Sequence, residues 1–205
     1  MVRSALLVMA LLMAAVGQAR ADPILYSNGP GGFSGGGLLL GAGYSGSDSF
    51  SLTNSSNVTG VQAILWGADS PTVVQWSIGT TPNSSDKGSG TATLTSTLLS
   101  TNTSLPFGTI GIYSSTFSLN QPLGSGTYYL TLQNANNSSS AVFWDVNSGP
   151  SAAFDNALNS VPSEAFEIHG TETAATPEPA SIILLGIGLA GFAGYGWRTR
   201  AKNQQ

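Results

Sequence analysis

The chain has 205 residues, room for one domain of about 150 once both ends are set aside. Charged residues are only 8% of it, and Gly, Ser, Thr and Asn fill the gap, a balance that favours strands and turns over helices. One lysine, Lys87, stands against ten acids between Asp22 and Glu178, a formal −9 that excludes nucleic acid as a partner of this stretch, and the lack of cysteine excludes disulfides, thiolate metal sites and cysteine nucleophiles.

The first element is a secretory signal peptide over residues 1–21. Arg3 supplies the positive start, Ala5 to Val16 an uncharged apolar run, and Ala19-Arg20-Ala21 the small-x-small pattern before cleavage. The signal cleavage residues are therefore Ala19 and Ala21, and the mature chain begins near Asp22. A permanent N-terminal anchor competes with this reading, but the run is too short for ~30 Å of hydrocarbon.

From Asp22 to Gly170 no helical period stands out. Short segments rich in Val, Ile, Thr and aromatics alternate with Gly, Ser, Asn and Pro turns. The predicted strands are Ser47–Leu52, Val58–Trp66, Thr72–Ile78, Thr91–Leu99, Thr109–Leu119, Thr127–Leu132, Ala141–Val146 and Glu164–Ile168, with a further short one from Ile24. Alternation places Phe50 and Leu52, then Val61, Ala63 and Leu65, then Tyr128, Leu130 and Leu132, then Val142, Trp144 and Val146 toward a core. Eight or nine short antiparallel strands give an all-β fold, a single jelly-roll-like β-sandwich over residues 22–170. Pro30 to Gly43 and Thr81 to Gly90 read as loops; the glycines of the first follow no phosphate-binding spacing.

Catalytic signals are sparse. No nucleophile elbow, zinc helix or phosphate loop is present, and no catalytic, cofactor or metal residue is assigned. The lone histidine, His169, reads as an exposed residue after the last strand. Asp145, Asp155, Glu164 and Glu167 read as solvated edge and loop acids. A glycosidase-like pair among the acids and a calcium site of Asp145, Asn147 and Asp155 are the sharper alternatives. Aromatics on strands supply the ligand candidates Trp66, Tyr129 and Phe143, since a sandwich face lined with rings stacks on sugars. Six Asn-x-Ser/Thr sequons, at Asn54, Asn57, Asn83, Asn102, Asn136 and Asn137, arise readily in such a composition.

The far end has three parts. Residues 171–179 form a polar linker ending in Pro177-Glu178-Pro179, residues 180–197 an apolar stretch, and residues 198–205 a basic tail. Eighteen residues at ~1.5 Å each make about 27 Å, sufficient for one thin transmembrane helix. Tyr195 and Trp197 suit the interface, and Arg198, Arg200 and Lys202 act as stop-transfer charges on the cytoplasmic side. Gly186, Ala190 and Gly194 share one helix face and permit close packing. The prolines hold the tripeptide extended and stop the helix from growing outward, which leaves Glu178 accessible.

This order resembles the PEP-CTERM sorting signal over Thr176 to Gln205. The resemblance implies recognition of Pro177, Glu178 and Pro179 by an exosortase, an integral-membrane, cysteine-dependent transpeptidase-like enzyme that cuts near the motif. It also implies surface delivery, in hosts that often make exopolysaccharide, and the sparse catalytic signals point to a protein that is not an enzyme. An ordinary single-pass anchor is the plainer alternative. The expected function is a structural or adhesive protein of the cell surface, matrix or biofilm, with a carbohydrate-binding module, with or without calcium, as the alternative. The expected partners are the exosortase, exopolysaccharide and, before processing, the membrane.

Overall fold

The computed structural model describes residues 22–33, 36–103, 108–136 and 141–173. These form two antiparallel sheets with no helix between them, a sandwich-like all-β domain. Thirteen strands follow in chain order: β1 (Ile24–Ser27), β2 (Gly37–Leu39), β3 (Ser45–Leu52), β4 (Ser56–Gly67), β5 (Val73–Gly79), β6 (Gly88–Thr93), β7 (Thr95–Asn102), β8 (Ile110–Leu123), β9 (Gly126–Asn136), β10 (Phe143–Asp145), β11 (Ala153–Asp155), β12 (Ser160–Val161) and β13 (Phe166–Glu172).

The first sheet is organised around β4, which is long enough to serve three neighbours. On one side it pairs with β8, and β8 with β7. On the other, residues 56–63 pair with β13 and then β1, while Leu65 and Trp66 pair with β10 and then β2. The second sheet runs β12-β11-β3-β9-β5-β6.

Alternation decides what faces inward. Phe50 and Leu52 of β3, Val61, Ala63 and Leu65 of β4, and Tyr128, Leu130 and Leu132 of β9 meet in one core between the sheets, joined by Trp144 and Phe166. Phe166 sits 5.7 Å from the Trp144 ring, edge to face. Each such side chain, fully buried, contributes about 1.5–3 kcal/mol. Val142 and Trp144 are inward as expected, and Val146 is half-buried in a single bridge to Glu164.

The structure corrects the strand list in several places. The segment expected as one strand, Thr91–Leu99, is two strands in different sheets: β6 pairs with β5, and after Leu94 the chain crosses to pair with β8 as β7. Leu94 is buried and its N–H donates to Thr72 O at 2.8 Å, which pins the crossing. Two expected loops hold strands, β2 within Pro30 to Gly43 and the start of β6 within Thr81 to Gly90. The short strands β11 and β12 are additional to the predicted ones, and β13 runs to Glu172.

Candidate functional site

Two features of the domain carry chemistry, an inter-sheet layer of acids and an open groove lined with hydroxyls. The acid layer follows from alternation: Asp48 is in phase with Phe50 and Leu52, and Glu164 with Phe166 and Ile168, so both point between the sheets. Asp48, Asp145 and Glu164 are all 0% exposed. Their neighbours are polar. The amide of Asn28, just beyond β1, lies 3.2 Å from Asp48 Oδ2, 2.6 Å from Ser151 Oγ, 2.5 Å from Ser163 Oγ and 2.6 Å from Glu164 O. Its two hydrogens are shared among four acceptors. Asp48 also accepts the N–H groups of Ser49 and Glu164, each at 2.7 Å. Tyr26 adds its hydroxyl to Asn28 Oδ1 at 3.1 Å.

No cation offsets these carboxyls. Lys87 is the only Lys or Arg among the described residues and pairs at the surface with Asp86 at 3.5 Å. Burial, then repulsion from Asp48 and Asp145, pushes the Glu164 carboxyl up to about 10, so it keeps its proton at neutral pH. Burial likewise raises Asp48 and Asp145. Neither Glu164 carboxyl oxygen has a hydrogen-bond partner, nor does Asp145 Oδ1. The Trp66 indole N–H lies beside the Asp145 carboxylate and tempers that rise, without closing a regular hydrogen bond.

Asp145 is roofed from outside. Ile64, Trp66, Ile110, Ile112 and Ala165 form a second apolar cluster on the outer face of β4, with Phe143 packed against it. The chain at Gly31 crosses so closely that a β-carbon there would stand 2.5 Å from Asp145 Oδ2 and 2.8 Å from the Phe33 ring. Beside this roof the Asn28–Gly32 and Asn147–Pro150 loops frame a groove of about 420 Å³. The Asn147 amide holds the loops together through Asn28 O at 2.7 Å and Pro30 O at 3.2 Å.

The hydroxyl groove encloses about 300 Å³ and is lined by Thr59, Gln62, Thr93, Thr95, Thr116 and Ser118, with Asp22 and His169 alongside. The outward positions of β4 and β8 supply Gln62, Thr116 and Ser118, while Thr93 comes from the end of β6 in the second sheet and Thr95 from the start of β7 in the first. Thr59 Oγ1 donates to Asp22 Oδ2. Such a lining offers many neutral donors and acceptors at little electrostatic cost.

The structure separates the residues that sequence reasoning grouped. Asp145 and Glu164 are buried rather than solvated, whereas Asp155 turns its carboxylate to the side-chain amide and N–H of Asn159 and the N–H of Ala157, all at 2.9 Å, and its proton affinity falls. Asn147 is committed to the loop contacts above, so the calcium trio does not assemble. Among the described residues no group of three or more His, Asp or Glu side chains is placed to hold a metal ion. His169 lies within β13 rather than after it, with Nδ1 3.3 Å from Asp22 O and Nε2 3.4 Å from Glu167.

Of the aromatic candidates, Trp66 is 3% exposed and offers no face to a sugar. Phe143 is half-buried against the outer cluster, covered by the domain itself. Tyr129 is half-buried and meets Phe154 edge-on at 6.1 Å. Among the sequons, Asn83 is engaged with Ser45 and Asp155 O, and Asn57 with Asn120.

Ala19 and Ala21, Pro177, Glu178 and Pro179, the apolar stretch 180–197, and Arg198, Arg200 and Lys202 lie outside the described residues. Among the described residues no helix is long and apolar enough to cross a membrane. No curated protein matches the chain in sequence. Residues 175–201 match the family model of the PEP-CTERM protein-sorting motif. That motif marks exported, surface-directed proteins that are processed at the C-terminal end and implies an exosortase in general as the processing enzyme. With Pro177-Glu178-Pro179 inside the matched span, the chain is a PEP-CTERM-containing protein.

Proposed function

We propose that the exported β-domain is a structural or adhesive component of the cell surface or extracellular matrix that associates with exopolysaccharide, after a precursor stage held in the membrane by residues 180–197. The observation that carries this is the hydroxyl groove, with Thr59, Gln62, Thr93, Thr95, Thr116 and Ser118 on a domain whose only lysine is Lys87. Sugar hydroxyls pair with such neutral donors and acceptors, and Asp22 alongside adds a carboxylate acceptor. We read the domain as non-catalytic: Asp48, Asp145 and Glu164, its clustered carboxyls, are sealed from solvent.

The test is a pull-down with the host's own exopolysaccharide, with and without calcium. Thr116→Trp fills the groove and Gln62→Ala removes its amide; both are expected to lower binding at least about fivefold, roughly 1 kcal/mol. Undiminished binding by both variants would contradict the groove assignment. Loss of binding on calcium removal would move the protein toward the calcium-dependent carbohydrate-binding module.

A further inference from the structure

We propose that β7 is a self-complementary edge through which two copies of this chain join by antiparallel strand addition. Sheet edges invite pairing, and proteins blunt them by keeping edge strands short or by placing Lys or Pro on them. Here β1 has four residues, β2 three and β12 two. β7 has eight, pairs only with β8, and carries no charge and no proline. β6 before it, at the edge of the other sheet, is likewise uncharged.

The order of residues selects the occupant. Thr95-Ser96-Thr97-Leu98 is followed by Leu99-Ser100-Thr101-Asn102, a near-palindrome about the Leu98–Leu99 bond. A two-fold axis there sets Leu98 against Leu99, Thr97 against Ser100 and Ser96 against Thr101 of the second copy. Leucine meets leucine and hydroxyl meets hydroxyl, the pairings that stabilise neighbouring strands. A two-fold interface needs this kind of self-match.

The leucines are displayed for such a contact. The register against β8 slips between Leu98 and Ser100, so Leu99 is an extra residue and strict in–out alternation is reset. Leu98 is 53% exposed and Leu99 48%, an adjacent apolar pair on an otherwise hydroxyl-rich strand. No charge along β7 repels its own copy, despite the acidity of the whole domain. One strand pair buries less than a standard interface, so the association is weak and depends on concentration.

The test is sedimentation velocity on the full chain in mild detergent and on the form recovered from the host's medium, over a concentration series. The native chain is expected to show a reversible dimer. Thr97→Lys with Ser100→Lys sets lysine against lysine across both symmetric pairs and is expected to weaken dimerisation about tenfold or more, with unchanged circular dichroism. Thr97→Lys with Ser100→Glu sets opposite charges across the same pairs and is expected to restore it, which mere damage to the fold would not allow. In this cysteine-free chain, Thr97→Cys with Ser100→Cys is expected to give a disulfide-linked dimer on mild oxidation, well above a Ser125→Cys control. A monomer at all concentrations, equal dimerisation by the two charged variants, or cross-linking no better than the control would overturn the proposal.

Discussion

The backbone N–H of Glu164 donates to Asp48 Oδ2 at 2.7 Å, and through that bond the segment leading into β13 of one sheet is tied to β3 of the other. The two acids that this brings together have no cation beside them, and buried Asp145 adds its repulsion to Glu164. The layer is stable only while protons neutralise part of it.

A pH dependence follows from the signs. Glu164 binds its proton more tightly folded, at about 10, than unfolded, near 4.5. Its contribution is full below 4.5 and is lost as pH rises toward 10, at up to about 1.4 kcal/mol per unit. Asp48 and Asp145 are shifted in the same direction. Facing them, Tyr26 is also raised by burial and by Asp48, so it stays neutral throughout. Asp86, lowered to about 2 first by the Thr80 N–H, and Asp155 act oppositely, with stability present above 3.8 and lost as pH falls. Melting temperature measured from pH 3 to 9 is expected to peak on the acid side, near 4–5, and decline toward alkali. Glu164→Gln is expected to flatten the alkaline limb and raise melting by several degrees at pH 8. A Gln variant that parallels the native curve would contradict the assignment.

Asn28 is the donor on which that layer turns. Asn28→Ala strands Asp48 and the Ser151–Ser163 pair without an amide, and a loss of about 2–4 kcal/mol is expected in urea unfolding. Asn57→Ala, which removes only an exposed bond to Asn120, is expected to stay within about 0.5 kcal/mol.

Gly31 is held by space rather than by backbone angle. Gly31→Ala drives a methyl into Asp145 Oδ2 and the Phe33 ring and is expected to cost about 1–3 kcal/mol. Gly41→Ala, where the nearest atom is Ala135 O at 4.0 Å, is the matched control and is expected to be close to neutral. Equal midpoints for the two variants would show that the roof over Asp145 is loose.

Much of this core is legible in the sequence because burial imposes a two-residue period. Phe50 and Leu52, or Leu130 and Leu132, announce an inward face wherever they pair. The crossing at Leu94 is not announced, because Thr91 to Leu99 contains no Gly, Pro, Asn or Asp and a change of sheet needs only one buried side chain and one hydrogen bond, Leu94 N to Thr72 O. β11 and β12 hide because three and two residues are too few to show a period. Glu164 misleads for a different reason. Acids default to water, and only its phase with Phe166 and Ile168 hinted at burial. Trp66 misleads because the outer cluster that covers it is assembled from β4, β8 and the segment before β13.

The decisive measurement is intact mass and C-terminal mapping of the protein recovered from its host, native and with Pro177, Glu178 and Pro179 all replaced by alanine. The native protein is expected on the surface or in the medium, ending near that tripeptide and without Arg198, Arg200 and Lys202. The variant is expected to stay uncut in the membrane fraction. Recovery of the variant outside the membrane with the same C-terminus and native yield would contradict processing at this motif.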